Sequence, residues 1–420
     1  MDVWAFLPAI QKVRIISGGI HSFMITQVIN EEYAVLHHGN DIARLGRRAL
    51  ILTGRHSAKR NGALVELQKV MQDTGTEYII YDRIEENPSV ETVKEARDIG
   101  VSKGADFVIG LGGGSPMDAA KAVSILLYHS DRDADFLYEI PRWDRCDKEG
   151  NTLAYPVVEI PTTCGTGSEV TAVAVLTRHD LKTKKSLPHK VYPTIALLDP
   201  RYLMYAPYEV IRNTAVDAMS HLIESYINTN ATAITRAKVL EGLKLWSRGR
   251  EVILGLRKVG YTKDEHIGNV SDFVRRTSDP DRAAADQATD LKLLGDMLRA
   301  SNIAGEAIAV TGTSLPHALS YRLTYSAGVA HGPATGIFQP GFMKYADSDS
   351  QKKILGAMGF EELDDFREFL GQVCDIKGIS DVDYALLVEN SIKDILHEPS
   401  RIEKVPYPVN REVLEDIVSG

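Results

Sequence analysis

Cysteine is scarce: the 420 residues hold three, Cys146, Cys164 and Cys374, too few and too scattered for a zinc cluster or a disulfide framework. That usage suits a reducing compartment. Nowhere do about 18 apolar residues run together, so no membrane-spanning helix is expected. The opening Met1-Asp2-Val3-Trp4-Ala5-Phe6-Leu7-Pro8 places an acid where a signal peptide has base, and Pro8 cuts its apolar run short. The expectation is a cytoplasmic chain with no membrane partner. An excess of positive charge is also missing. Lys and Arg number 48 against 57 Asp and Glu, a net charge of −9, which argues against nucleic acid or an anionic surface as the main partner. With 44% hydrophobic and 25% charged residues, the composition is that of an ordinary globular enzyme rather than a disordered chain. Its main glycine-rich turn is neither a G-x-G-x-x-G fingerprint nor a Walker A motif.

What is present is alternation. The run Ala49-Leu50-Ile51-Leu52-Thr53 ends at Gly54 and precedes an amphipathic stretch from Ala63 to Gln72. Tyr78 to Tyr81 reads as a strand, Val90 to Gly100 as a helix, Asp106 to Leu111 as a strand, Pro116 to Leu127 as a helix and Tyr155 to Ile160 as a strand. Strands alternating with helices imply parallel βαβ units, whose ligands gather at the carboxyl ends of the strands. Beyond Asp199-Pro200 helical periodicity takes over. The expected organisation is an α/β nucleotide-binding domain over residues 1–200, followed by an all-α domain over 201–420. The polar segment from Lys263 to Gln287 reads as an exposed insertion. No internal repeat or low-complexity tract interrupts the chain.

Two loops carry the first chemistry. In Gly110-Leu111-Gly112-Gly113-Gly114-Ser115-Pro116-Met117-Asp118, Ser115 is expected to cap the helix, with Pro116 first and Asp118 third within it. The glycines let backbone approach a ligand, and a helix N-terminus offers free N–H groups to a phosphate. The second loop, Pro161-Thr162-Thr163-Cys164-Gly165-Thr166-Gly167-Ser168-Glu169, brings threonine hydroxyls to another strand end. Each alone fits an ordinary turn; together they favour a dinucleotide site. The second chemistry lies downstream. Asp217 and His221, four apart in the helical stretch Asn213 to Ile227, stack on one helix face. With His317 and His331 they make one carboxylate and three imidazoles, a sphere suited to zinc or ferrous iron. Whether the four converge is not readable from spacing.

These motifs, in this order, resemble the iron-containing (group III) alcohol dehydrogenases: Gly112-Gly113-Gly114-Ser115-x-x-Asp118-x-x-Lys121, Pro161 to Thr171, Asp217-x-x-x-His221, and the His317 and His331 segments. The resemblance implies a dehydroquinate synthase-like architecture, with an α/β nucleotide domain, an all-helical domain and the metal in the cleft between them. It implies Asp217, His221, His317 and His331 as catalytic metal ligands. It places the nucleotide contacts on Asn87, Gly113, Gly114, Ser115, Asp118, Thr162, Thr163, Thr166 and Thr171, with Lys184 chosen from the run Lys182 to Lys185. The implied reaction is reversible hydride transfer between a small primary alcohol or diol, or its aldehyde, and a nicotinamide cofactor. Fe2+ or Zn2+ would act as Lewis acid. A homo-oligomer, at least a dimer, is also implied.

Three departures bear on the expectation. Many relatives carry an acid just after the first strand, where it takes the adenosine ribose hydroxyls and repels a 2′-phosphate. Here Gly54 removes that repulsion, and Ser57, Lys59 and Arg60 follow. NADP is therefore expected over NAD. Tyr321 stands four residues after His317, where many relatives have another histidine. The segment from Lys263 to Gln287 lengthens the gap between the two ligand pairs. The rivals are a glycerol dehydrogenase-like or dehydroquinate synthase-like metalloenzyme, and a catalytically silent nucleotide-binding protein.

Overall fold

The computed structural model describes residues 11–12, 26–181, 183–260, 280–374, 376 and 378–420. The chain forms an N-terminal parallel α/β unit and a helical C-terminal unit. Contacts assign residues up to Thr162, Ser168–Arg178 and Lys185–Tyr205 to the first unit. Thr163–Gly167, His179–Lys184 and Ala206–Gly420 belong to the second.

Nine strands form among the described residues: β1 (Gln11–Lys12), β2 (Gln27–Asn30), β3 (Arg48–Thr53), β4 (Glu77–Tyr81), β5 (Phe107–Gly112), β6 (Val157–Pro161), β7 (Val175–Arg178), β8 (Thr183–Ser186) and β9 (Ile195–Leu198). Seven make one sheet in the order β1-β2-β9-β6-β5-β3-β4, parallel except for the β1–β2 pair. The pair β7–β8 stands apart as a small second sheet. Because helices cover both faces, the central strands are buried along their whole length and mostly apolar rather than alternating, with Glu159 in β6 as a buried exception that faces Lys121 at 3.8 Å. Leu50 and Leu52 enter one core, with the helices Val90–Lys103 and Gly114–Tyr128. Ala49 and Ile51 enter the other, with the helix Ala63–Thr74. The chain steps from β3 to β4 on one side and on to β5 on the other, so the strand order reverses between β3 and β5. In open α/β sheets such a reversal opens a crevice at the carboxyl ends of the strands. Thr53 pairs in register with Leu111 there, which puts Gly54 and the Gly112-Gly113-Gly114 turn side by side.

The helix after β5 starts earlier than the sequence suggests. Gly113 is its N-cap and Gly114 its first residue, so Ser115 lies inside the first turn and no capping box forms. Glycine wins the cap because the backbone must turn tightly out of β5. Gly112 has φ 149°, and a Cβ on Gly110 would meet Ala120 and Met117 at 3.0 Å. The insertion expected from Lys263 to Gln287 lies outside the described residues up to 279, and from Pro280 its backbone belongs to the helix Pro280–Thr311. Met1 to Pro8 also lies outside them.

Two buried histidines give the first unit a pH dependence. His129 Nδ1 accepts from Arg145 at 2.9 Å, and His189 lies between the Phe136 carbonyl at 2.8 Å and the Thr152 hydroxyl at 3.0 Å. Burial lowers the pKa of both below 6.5, helped at His129 by the Arg145 charge. The unfolded chain therefore binds protons near pH 6.5 that the folded chain refuses, and stability falls as pH drops below that value. Melting temperatures measured from about pH 8 down to about pH 5 should show this slope, flattened in His129→Gln. An unchanged slope would contradict the assignment.

In the second unit the helix Tyr208–Ile227 is buried over most of its length. Trp246, buried in the helix Ala233–Ser247, donates its indole N–H to the Ala215 carbonyl at 2.8 Å and fastens the two together. The helix Leu315–Ala327 ends at Gly328, whose φ of 68° breaks it, and the short helix His331–Gly336 follows at once. That short helix packs backbone to backbone on Tyr208–Ile227. A Cβ on Gly332 would lie 1.8 Å from the Asn213 carbonyl oxygen, and one on Gly336 would meet Val216 and Cys374.

Candidate metal centre and cofactor loops

Asp217, His221 and Glu224 occupy positions i, i+4 and i+7 of the helix Tyr208–Ile227, one face of it. His317 lies in the first turn of Leu315–Ala327, and His331 opens the next helix, held at close range by Gly332. The common point is Asp217 Oδ1. His317 Nε2 is 3.5 Å from it, and Nε2 of both His221 and His331 is 3.8 Å away. Ligand atoms of Asp217, His317 and His331 all lie within 4.8 Å of one another. His221 stands beside this trio with its ring stacked on that of His317, centroids 4.5 Å apart and planes at 16°.

The donor set fits a divalent ion. Asp217 Oδ1 and His317 Nε2 are buried with no hydrogen-bond partner, which costs free energy unless something else binds them. Metal–ligand bonds of 2.0–2.1 Å give a tetrahedron with edges of roughly 3.4 Å, close to the 3.5–3.8 Å separations found. Asp217 and His317 are almost fully covered, at 5% and 3% side-chain exposure, whereas His331 retains 32%. The open side of the site is the His331 side.

Charge is distributed unevenly among these groups. Burial opposes ionisation of Asp217, but the three imidazoles outweigh it and hold the carboxyl well below its usual range. Burial likewise opposes a proton on His317, yet Glu224 and Asp217 on its two sides push its pKa up to about 10. For His331 burial prevails over the Asp217 attraction, and the charges of His317 and Lys184 add to it, giving a pKa of about 3. His221 is lowered too, chiefly by burial.

Glu224 is a residue the sequence reading missed. Wholly buried, its carboxylate accepts from His317 Nδ1 at 2.5 Å, from the Ser314 backbone N–H at 2.5 Å and from Gln339 Nε2 at 2.9 Å. It therefore caps the N-terminus of Leu315–Ala327 and holds the His317 ring with Nε2 toward Asp217. The signal was available: 217, 221 and 224 follow helical spacing.

The expected nucleotide residues fall into separate groups. Asn87, in a left-handed conformation at φ 58°, donates its backbone N–H to Ser115 Oγ at 3.0 Å, and its carbonyl accepts from Thr177 Oγ1 at 2.8 Å. This binds the Asn87 turn to the glycine-rich turn. The Thr162 backbone N–H reaches the Gly112 carbonyl at 2.8 Å. Asp118 does not cap its helix. Its carboxylate accepts from Ser168 Oγ at 2.7 Å and from the Val175 backbone N–H at 2.9 Å. Beside it, the three N–H donors of the fully buried Lys121 have four oxygens in reach: the Ser168 carbonyl at 2.6 Å, Ser168 Oγ at 2.7 Å, the Val173 carbonyl at 3.1 Å and, more weakly, Thr171 Oγ1 at 3.4 Å. Asp118 and Lys121 thus pin the stretch after the threonine loop to the Gly114–Tyr128 helix. Thr163 and Thr166 group with the second unit, where a Cβ on Gly165 would strike Thr214 and one on Gly167 would strike Gly305. Lys184 lies on β8 and its charge is felt at His331, whereas Lys182 is outside the described residues. After β3, a Cβ on Gly54 would have, among the described residues, only the Ile84 carbonyl within 4 Å, at 3.5 Å. Ser57 opens the helical turn Ser57–Arg60, and Lys59 is paired with Asp82 at 2.5 Å.

Comparison with known proteins follows the same lines. A family profile described as iron-containing alcohol dehydrogenase matches residues 26–200. A second, for the C-terminal part of the Fe-containing alcohol dehydrogenase family, matches residues 280–376. A long-chain-alcohol dehydrogenase from Geobacillus thermodenitrificans is 27% identical over 389 residues, 88% of each chain. A lactaldehyde reductase from Escherichia coli is 28% identical over 321 residues, 74% of this chain and 72% of its own. Among solved structures, an iron-containing alcohol dehydrogenase from Thermotoga maritima is 33% identical, covers 93% of this chain and 96% of its own, and has a TM-score of 0.73.

Proposed function

From the premise that this chain belongs to the iron-containing alcohol dehydrogenase family, acting on alcohols and aldehydes, we propose that it transfers hydride reversibly between a small primary alcohol or diol, or the corresponding aldehyde, and NADP(H). Asp217, His221, His317 and His331 are the residues assigned to hold Fe2+ or Zn2+. The observation that carries this is the pair of buried, unpartnered atoms Asp217 Oδ1 and His317 Nε2 facing one point with His331 alongside. A divalent ion supplies a Lewis acid for the alcohol or carbonyl oxygen, and the nicotinamide supplies the hydride-accepting carbon.

The remaining work belongs to the chain. Asp217 contributes the one negative charge of the ligand set, so three neutral imidazoles leave a divalent ion with net positive charge. Glu224, by accepting a hydrogen bond from His317 Nδ1–H, fixes the proton there and keeps the Nε2 lone pair available. Tyr321 lies beside His331, ring centroids 6.5 Å apart, at the position where relatives often carry a histidine. The nucleotide is assigned to Gly54, Ser57, Asn87, Gly113, Gly114, Ser115, Asp118, Thr162, Thr163, Thr166, Thr171 and Lys184. Of these, Asp118 acts by anchoring Ser168 and Val175 rather than by direct contact. A homo-oligomer, dimeric at least, belongs to the same reading.

The test is nicotinamide absorbance with NADPH and NADH over a panel of short aldehydes, in the presence of ferrous iron, zinc or a chelator. Metal-dependent oxidation that favours NADPH is expected. Gly54→Asp, for which there is room, should shift that preference toward NADH by about tenfold or more, since a carboxylate there repels the 2′-phosphate. A native preference for NADH would overturn the Gly54 argument alone. Cofactor binding without turnover under any metal would favour a silent nucleotide-binding protein.

A further inference from the structure

On the second unit, the segment after the helix Asp381–Leu396 brings two cations close to the candidate metal centre. Arg401 lies in the short turn Pro399–Ile402, its guanidinium carbon 5.3 Å from the centre of the Tyr321 ring. That ring lies nearly parallel to His331, at 17°. The order in space is therefore His331, Tyr321, Arg401. Three residues on, the Lys404 backbone is fixed by the Thr229 N–H, which donates to its carbonyl at 2.9 Å, two residues beyond the helix that carries Asp217. Lys404 Nζ donates to the Thr313 carbonyl at 3.1 Å, next to Ser314, whose backbone N–H is held by Glu224.

Glu224 and Glu398 act on Lys404 only from beyond ion-pair distance. Among the described residues Lys404 has that single hydrogen bond and no carboxylate within ion-pair distance. Arg401, 20% exposed, interacts with the Tyr321 side chain and with Glu398 at 3.4 Å, a carboxylate that is itself 56% exposed and solvated. Burial and the Arg401 charge together lower the Lys404 pKa, so the two cations feel each other. The Ser314 hydroxyl beside them is buried without a partner. Tyr321 and Glu398 support the Arg401 charge, whereas Lys404 is disfavoured by burial and by Arg401, and an oxyanion between an Arg and a Lys gains charge-assisted hydrogen bonds.

We propose that Arg401 and Lys404 form an anion-binding end of the substrate site, so that the preferred substrate is a short aldehyde or alcohol bearing a carboxylate or another oxyanion away from the reacting carbon. This rests on the metal-centre reading above. The experiment compares kcat/KM for butanal and for succinic semialdehyde, which differ by a terminal carboxylate, and for propanal and phosphonoacetaldehyde as the phosphonate arm. The anionic member is expected to be favoured by about 10–100-fold, and the arm with the larger ratio identifies the oxyanion. In R401Q/K404Q the ratio should fall toward 1. Succinate should inhibit the native enzyme competitively against butanal, a readout that needs no variant. Turnover of butanal with equal kcat/KM for the charged aldehydes and no inhibition by succinate overturns this proposal and leaves the dehydrogenase reading standing. An anionic preference that survives in a folded R401Q/K404Q protein also overturns it. No turnover of any aldehyde overturns both.

Discussion

Asp217→Ala is expected to leave a folded chain that retains little divalent metal and loses about a thousandfold or more of its aldehyde-reducing activity. Three imidazole nitrogens lie 3.5–3.8 Å from Asp217 Oδ1, so that oxygen is the common neighbour of all three. Metal content after gel filtration, read beside circular dichroism, separates loss of the ion from loss of the fold. The same geometry predicts a proton count. Without metal His317, with a pKa of about 10, carries a proton at neutral pH, while His331, at about 3, and His221 do not and Asp217 is ionised. Metal uptake near pH 7.5 should therefore release about one proton per ion, measurable as a buffer-dependent heat of binding. The raised His317 pKa also stabilises the metal-free fold below pH 6.5, and that contribution is lost as pH rises toward 10. Retention of tightly bound metal in Asp217→Ala would remove that residue from the ligand set.

Glu224 carries the second large effect. Glu224→Leu leaves the His317 Nδ1, Ser314 N–H and Gln339 amide donors buried without their acceptor, at about 3–5 kcal/mol of stability. Glu224→Gln is the sharper variant because its volume is unchanged. One oxygen becomes an NH2 group, which must face either Ser314 or His317. If it faces His317, that ring is driven to the tautomer with its proton on Nε2, the wrong one for a ligand. Metal affinity measured against a chelator should fall by about 10–100-fold, more than a small change in melting would explain. Equal metal affinity in Glu224→Gln would reduce Glu224 to a helix cap.

The sheet was legible in the sequence for a physical reason. Strands buried on both faces are short β-branched and apolar runs bounded by turns, and β3, β5 and β6 stand out as such. The β7–β8 pair went unseen because Thr183-Lys184-Lys185-Ser186 is polar on both faces and reads as a charge run. Ser115 reads as a helix cap because serine is a good one, but the tight exit from β5 moves the cap to Gly113. Asp118 looked like a first-turn acid and is instead a long-range anchor, reaching residues 50 and 57 positions away. Lys121 was visible only as part of a motif, although a lysine in an alanine-rich buried helix already asks for buried acceptors. The spacing of Asp217, His221 and Glu224 was in plain view. What no spacing could reveal is that His317 and His331 arrive at the same carboxylate, because that depends on Gly332 lying against Asn213.

The chain passes between its two units five times before the helical unit continues unbroken from Ala206. Expressing the halves separately, by a cut after Tyr205, would therefore strand two pieces. The helical half would lose Thr163–Gly167 and His179–Lys184, and with them the glycine backbone seated on Thr214 and Gly305. Neither half is a transferable cassette, and chimaeras with relatives should keep residues 163–167 and 179–184 with the helical unit and residues 168–178 with the α/β unit.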